Sequence, residues 1–367
     1  MTTPSVAPSP GAVSGPFAAL LAQAQRAPRS EALRIMRRGQ WRAWSWQRLA
    51  VHAELAARGW AALGVRPGTR IVALGPLGAD LIVTLFAADA LGATAVLADD
   101  AVQAQVVGEA LFAFADGTHE LERLLRHRGT ALRAAVVGDA AVVPASGQVE
   151  GVPLYSTACL FGAGRSHSAL PPRAGLGAVV QIAGHDGVFR TPGTSQAPGF
   201  EPGQDDRVFA DFAPTWPTGL DFILHTWPGR TPLLLIPEPH GDAAADQRDA
   251  RANLWLASPT RLAATAVALR ARVPARGLSA RIAQAVLDGG RPLLGALARS
   301  RMRAGMGLAA TRFTISDASL AAPTEQMLRA LGIVPAALAA PTRVSRHPSA
   351  GASAQGGTFG STLAPTP

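Results

Sequence analysis

The chain has 367 residues, 48% of them hydrophobic and 16% charged, enough to bury a large core in one big α/β domain or two ordinary ones. The net charge is +9 and every basic residue is arginine, so a Schiff-base lysine for pyridoxal phosphate, a Walker lysine and a lysine general base are all excluded. The single cysteine, Cys159, excludes an intrachain disulfide and a cysteine metal cluster.

Residues 1–16 are rich in Pro, Ser, Gly and Ala and read as a flexible arm. They lack the charged and apolar regions of a signal peptide. A short helix is expected over 17–25. A hairpin follows over 31–46, turning at Gly39. Ser45 then caps an amphipathic helix that runs to about Leu63. The turn Gly64-Val65-Arg66-Pro67-Gly68 feeds a strand at 70–74. A nearly all-apolar helix at 79–91 ends at Gly92, and a strand at 93–97 completes a βαβ unit. The most apolar stretch, 81–97, carries Asp89 in its middle and does not read as a membrane span, so the expectation is a soluble, cytoplasmic protein.

Helices are expected around 106–114 and 119–128, and a strand at 134–137. Residues 146–175 are rich in Gly, Ser and Pro and read as a loop or crossing segment, with a subdomain break near 146–177. Further on, strands are expected at 207–212, 231–236, 253–257 and 312–316. Helices are expected at 218–227, at 259–272 with Ser258 as N-cap, over 278–306 with a break at Gly289-Gly290, and at 323–331. Residues 17–343 form the large domain, and 344–367 return to Ser, Gly, Ala and Pro as a disordered tail. No repeat of fixed period is present.

Residues 178–193, AVVQIAGHDGVFRTPG, carry the most informative pattern. An apolar run ends at Gly184, a second glycine follows at Gly187, and a cation stands at Arg190. A buried strand opening into a glycine-bearing loop with a cation near its end is one way to cradle phosphate.

Several flanking motifs occur in a definite order. Trp44-Ser45-Trp46 precedes a helix and then ALGVRPGTRIVAL at 62–74. Ala90-Leu91-Gly92-Ala93 marks a helix-to-strand step. Asp205-Asp206-Arg207-Val208 opens a strand, and Leu331-Gly332-Ile333 ends a helix. In this order the chain, over roughly residues 30–343, resembles the large N-terminal domain of the adenylate-forming (AMP-binding) superfamily, especially the long-chain acyl-CoA ligases. The resemblance implies an α/β fold of two stacked β-sheet subdomains flanked by helices. It also implies an ancestry in AMP-forming acyl-CoA ligation.

The resemblance further implies where an ATP site would lie. The family's phosphate loop, T-S-G-T-T-G-x-P-K-G, falls on 182–191. Gly184 and Gly187 are kept, His185 and Asp186 replace two threonines, and Arg190 stands in the lysine position. Ser316 falls at the family's SGGAPL. Thr342 fits its YGxTE, where Arg343 replaces the magnesium-holding glutamate. Together Gly184, His185, Asp186, Gly187, Arg190, Ser316 and Thr342 outline a degenerate ATP site. No catalytic residue and no metal ligand is assigned. The chain stops where the family's ribose-binding Asp, hinge and small lid domain follow.

These departures favour a catalytically degenerate relative with an accessory or binding role in acyl metabolism. Its expected partners are an acyl chain, CoA or an acyl carrier protein, or a separate ligase or lid protein. Two other readings stand beside it. One is an active ligase, using ATP and Mg²⁺ and completed by a separate C-terminal domain. The other is an arginine-rich protein that binds nucleic acid or anionic lipid. Aromatics, at 5%, are too few for a base-stacking platform.

Other constellations carry less. His185-Asp186 with Ser195 lacks a G-x-S-x-G elbow. His119 and His127, eight residues apart on one helix, do not converge on a metal. Asp99-Asp100 reads as a helix-cap and loop pair, and Trp41, Trp44 and Trp46 read as subdomain packing.

Overall fold

The computed structural model describes residues 15–98, 103–144, 146–167, 170, 180–183, 188–191, 202–239, 241–274, 276–290, 294–317, 320–338 and 343–346. The first half runs α1 (Pro16–Arg26), β1 (Glu31–Arg37), β2 (Gln40–Ser45), α2 (Trp46–Ala62), β3 (Arg70–Leu74), α3 (Ala79–Leu91), β4 (Thr94–Ala98) and α4 (Gln103–Gly108). It continues with β5 (Phe112–Ala115), α5 (Thr118–His127), β6 (Ala134–Val137), β7 (Gln148–Val149), β8 (Val152–Ser156), α6 (Thr157–Ser166), β9 (Val180–Ala183) and β10 (Val188–Thr191). The second half runs β11 (Arg207–Asp211), α7 (Pro217–Asp221), a π-helical turn (Phe222–Thr226), α8 (Trp227–Arg230), β12 (Leu233–Ile236), α9 (Ala243–Ala250), β13 (Leu254–Ala257) and α10 (Pro259–Ala271). It ends with α11 (Leu278–Leu287), α12 (Gly295–Gly305), β14 (Phe313–Asp317), α13 (Ala322–Ala330), β15 (Val334–Leu338) and β16 (Arg343–Arg346).

The strands form two sheets. One has seven strands in the order β15-β14-β13-β11-β12-β1-β2, parallel except for the β1/β2 hairpin. The other has nine, in the order β16-β10-β9-β4-β3-β5-β6-β8-β7, with a parallel centre and antiparallel pairs at both edges. The parallel strands read as continuous apolar runs because both faces are covered. In β5, for example, Phe112 and Phe114 face a core shared with the other sheet, while Ala113 and Ala115 face a separate outer cluster.

Three apolar clusters define the layers. The largest lies between the sheets. It contains residues of α1, α2, α3, α6, α7 and α8, together with inward-facing residues of both sheets. A second cluster holds α4 and α5 on the outer face of the nine-stranded sheet. A third holds the helices from α9 to α13 against the outer face of the seven-stranded sheet. The expected α/β architecture of two stacked sheet subdomains is the one observed.

Local signals explain many boundaries. Ser45 Oγ accepts the Arg48 N–H at 3.1 Å at the start of α2. Ser258 Oγ accepts the Arg261 N–H at 3.3 Å, with Pro259 opening α10. Gly92 ends α3 in the left-handed conformation, with φ of 65°.

Two expectations are corrected. Residues 106–114 are not one helix: α4 ends at Gly108 and the chain re-enters the sheet as β5. A four-residue strand buried on both faces has no alternation to reveal it. Residues 146–175, read as a loop, contain β7, β8 and α6. Gly147 and Gly151 do serve the β7–β8 hairpin, but Gly164 serves a helix contact. A Cβ on Gly164 would lie 2.1 Å from the Leu55 carbonyl oxygen, and one on Gly59 would lie 2.2 Å from that of Leu160, so α2 and α6 pack backbone to backbone. The sequence pattern also missed α9 and the strands β10, β15 and β16, the last of which starts at the expected domain end and runs into the stretch read as a tail.

Candidate functional site

In open α/β sheets ligands bind beyond the carboxyl ends of the strands, where the strand order reverses. In the nine-stranded sheet that point is beside β3, which has β4 on one side and β5 on the other. The chain leaves β3 through Gly75-Pro76-Leu77-Gly78 into α3, and leaves β5 through Asp116-Gly117 into α5.

This turn faces the carboxyl ends of β11 and β12 in the other sheet across a cleft of about 290 Å³. Pro76 and Leu77 form one wall, and Phe212, Pro237, Glu238 and Arg261 form the other. Its charged groups are engaged by the protein. Arg261 Nε donates to Asp211 at 2.6 Å. The Glu238 carboxylate accepts the backbone N–H groups of Arg38, at 2.6 Å, and Gly39, at 3.3 Å. Both residues have positive φ in the β1–β2 turn, so Glu238 anchors that turn to the cleft.

At the same switch point lies an acidic group that sequence reading missed. Burial pushes the Asp116 carboxyl up to about 6, and the carboxylates of Asp80, Glu120 and Asp139 add to the shift, while Arg37 opposes it. Burial also raises Asp80, against the pull of Arg37, His52 and Arg48. A carboxyl in this range exchanges its proton near neutral pH, which suits acid–base work or a structural pH response. The signal available in the sequence was positional: Asp80 in the first turn after β3, and Asp116 immediately after β5.

The predicted phosphate-site residues are distributed as follows. Gly184, His185, Asp186, Gly187 and Thr342 lie outside the described residues. Arg190 is on β10 and Arg343 opens β16. These strands pair antiparallel, with Arg190 opposite Val344 and Thr191 opposite Arg343. The backbone thus sets the strand that leaves the 182–191 segment beside the strand that begins at Arg343. Ser316 lies elsewhere, at the end of β14 in the seven-stranded sheet, and only 1% exposed. Its hydroxyl and that of Thr314 make no hydrogen bond among the described residues. The next residue, Asp317, accepts from Trp216 Nε1 at 2.9 Å and from the Thr218 hydroxyl, tying β14 to the start of α7.

The other candidates are placed as structural groups. His119 is exposed and His127 half-buried, at opposite ends of α5. Asp99, Asp100 and Ser195 lie outside the described residues, as does His185. Among the described residues no three His, Cys, Asp or Glu side chains converge to hold a metal. No helix among them is long and apolar enough to cross a membrane. The tryptophans pack as expected. Trp46 stacks on Trp227 at 4.8 Å, Trp44 lies under the Arg48 guanidinium at 4.2 Å, and Trp41 Nε1 donates to Asp249 at 2.7 Å.

Comparison with known proteins agrees with this architecture. Residues 20–114 match the family model of the AMP-binding enzymes. The N-terminal domain of FACL13 from Mycobacterium tuberculosis, solved with an inhibitor, aligns over 88% of this chain and 75% of its own, at 14% identity and a TM-score of 0.56. VinN in complex with L-aspartate aligns over 88% and 74%, at 15% identity and a TM-score of 0.57. The A domain of a carboxylic acid reductase from Segniliparus rugosus, in complex with AMP and a co-purified carboxylic acid, aligns over 89% and 60%, at 13% identity and a TM-score of 0.68. Among curated proteins, none matches by sequence. The chain thus carries the fold of the large N-terminal domain of adenylate-forming enzymes, and over residues 20–114 its sequence matches the AMP-binding enzyme family.

Proposed function

We propose that this protein holds a carboxylic acid or acyl ligand on the adenylate-forming scaffold without converting it to an acyl-adenylate, in an accessory or binding role in acyl metabolism. The observation that carries the reading is the pairing of Thr191 with Arg343. It sets Arg343, which takes the place of the family's glutamate, against the last residue of β10, the strand that closes the 182–191 segment whose sequence carries Asp186 in a threonine position. A carboxylate at the phosphate loop opposes a polyphosphate. Two like charges about 4 Å apart cost ~1 kcal/mol in water and ~4 at an effective dielectric near 20. A fixed cation at the glutamate position repels the magnesium that a carboxylate would hold.

The inter-sheet cleft supports the binding half of the reading. Its 290 Å³ falls just below the ~300–1,000 Å³ typical of small-molecule sites, which favours a small acid over a long acyl chain. Structural neighbours solved with L-aspartate and with a co-purified carboxylic acid fit the same ligand class.

The test is acid-dependent ATP–pyrophosphate exchange with Mg²⁺ across fatty, aryl and amino acids, run beside thermal-shift titrations with the same acids, CoA and acyl-CoA. The expected result is no exchange above the blank and a raised melting temperature with at least one acid or acyl compound. Exchange with any acid would restore an active ligase, and no shift with any compound would remove the binding role. In the double variant Asp186→Thr/Arg343→Glu, ATP with Mg²⁺ is expected to raise the melting temperature when it does not in the parent.

A further inference from the structure

The net charge of +9 is concentrated in one stretch. Residues 259–312 hold ten arginines and one acid, Asp288, while the rest of the chain holds 24 arginines against 24 acids. This stretch contains α10, α11 and α12, which pack on the outer face of the seven-stranded sheet, with Arg261 at the start of α10 reaching the inter-sheet cleft. Arg272 joins two of the helices, its Nη1 donating to the Gly305 carbonyl at 2.9 Å. The α11, α12 and α13 helices line a common groove.

Some of these arginines serve the fold. Arg303 donates to the carbonyls of Leu308, Ala309, Thr311 and Leu331, and Arg261 pairs with Asp211. Arg270, Arg276, Arg281 and Arg301 are exposed, and their side chains make no hydrogen bond or ion pair among the described residues.

Each helix repeats one exposed pattern, an aliphatic residue followed three or four positions later by an arginine. The pairs are Val267 with Arg270, Leu278 with Arg281, and Leu297 with Arg301. Leu294 extends the last stripe by a turn. These aliphatics are far more exposed than a core would allow: Leu278 is 71% exposed, Val267 69%, Leu294 53% and Leu297 51%. No aromatic residue occurs between 259 and 312.

We propose that this face docks on an anionic phospholipid bilayer. Residues three or four apart share a helix face, so each aliphatic lies beside its arginine. That is the chemistry of a membrane interface, where the aliphatic enters the acyl boundary and the guanidinium reaches a lipid phosphate. Nucleic acid would use the cations but gain nothing from exposed aliphatics, and the face offers no ring on which a base could stack.

The experiment is vesicle flotation of the full chain. Neutral phosphatidylcholine vesicles are compared with vesicles containing about 30 mol% phosphatidylglycerol, at about 0.15 M salt and again at about 1 M. The protein should float with the anionic vesicles only, and less at high salt. Replacing Arg270, Arg276, Arg281 and Arg301 with Gln should weaken partitioning on the order of a hundredfold, from up to about fivefold per arginine. The double variant Leu294→Gln/Leu297→Gln should weaken it by about tenfold at unchanged charge. A charge-matched control with Gln at the exposed Arg26, Arg29, Arg38 and Arg133 should leave partitioning largely unchanged.

Circular dichroism and thermal melting of each variant confirm that it is folded. Equal capture by neutral vesicles overturns the proposal, as does no capture by anionic vesicles or equal loss in the charge-matched control. Retention of vesicle binding by the leucine variant, with full competition by duplex DNA, would assign the face to polyanions instead.

Discussion

A carboxylate with no exposed surface sits in the last turn of a nearly all-apolar helix. Asp89 on α3 interrupts the stretch that would otherwise approach membrane-spanning hydrophobicity, and its Oδ2 accepts the Phe17 N–H at 2.8 Å. The start of α1 has no side-chain cap of its own, because Gly15 is at its N-cap. Asp89 therefore satisfies one of the four N–H groups that a helix start leaves without partners, and places negative charge at its positive end. Asp89→Ala should cost about 1–3 kcal/mol in urea unfolding, and Asp89→Asn, which keeps an acceptor, less. Equal stability of the Ala variant and the parent would refute this role.

Asp116 has the opposite sign. Its folded pKa is raised to about 6, so the folded protein binds its proton more tightly than the unfolded chain does. The stability it contributes is present below its ordinary pKa, near 4, and is lost as pH rises through about 6. At pH about 8 the charged form is a penalty. Asp116→Asn is then expected to stabilise the protein by about 2–3 kcal/mol there and by little near pH 4, as read from urea midpoints at the two pH values. A gain independent of pH would refute the ionisation argument. Asp116 was marked in the sequence only by its position, because its environment draws on Arg37, Asp80 and Asp139, which the strand order brings to it, as well as on the nearby Glu120. The glycines of residues 182–191, by contrast, were legible as a local pattern, since a glycine-bearing turn after an apolar run needs no tertiary information.

Among elements, those with local start and stop signals were read nearly to the residue. Ser45 and Ser258 announce α2 and α10, and Gly92 closes α3. Elements whose cause is tertiary were not. The composition of α6, TACLFGAGRS, resembles a loop until α2 is placed against it. Then Gly164 lies under the Leu55 carbonyl and Gly59 under that of Leu160, contacts that any side chain would break. Gly164→Ala tests this directly. In an isolated helix the change would be favourable by about 1 kcal/mol. Here the new Cβ would fall 2.1 Å from a backbone oxygen that cannot move without shifting α2. Overpacking costs about 1–3 kcal/mol, more when the clashing atom is backbone, so the net effect is expected to be destabilising by about 2 kcal/mol or more. The thermal midpoint should fall. A midpoint at or above the parent's would show that the two helices can separate freely.

At the scale of the molecule, α2 joins the two sheets. It begins at Trp46, directly after the hairpin of the seven-stranded sheet, where the ring stacks on Trp227. Near its other end Trp60 meets Phe112 of the nine-stranded sheet edge-on, with centroids 6.4 Å apart. Both tryptophans are fully buried in the cluster that contains inward-facing residues of β3, β4, β5 and β9 as well as β11, β12 and β13. Neither sheet can lose α2 without exposing its inner face, so the chain should unfold in one step although it has two sheets. Tryptophan fluorescence and far-ultraviolet circular dichroism are expected to trace coincident urea transitions. Trp60→Ala, which empties the contact with Phe112, should move both traces together by about 3–5 kcal/mol. Trp60→Phe should cost less, because the Trp60 Nε1 it removes is buried without a hydrogen-bond partner in the parent. Two separated transitions, or a Trp60→Ala shift confined to one probe, would mean that the sheets are stabilised independently and that the shared core is not what couples them.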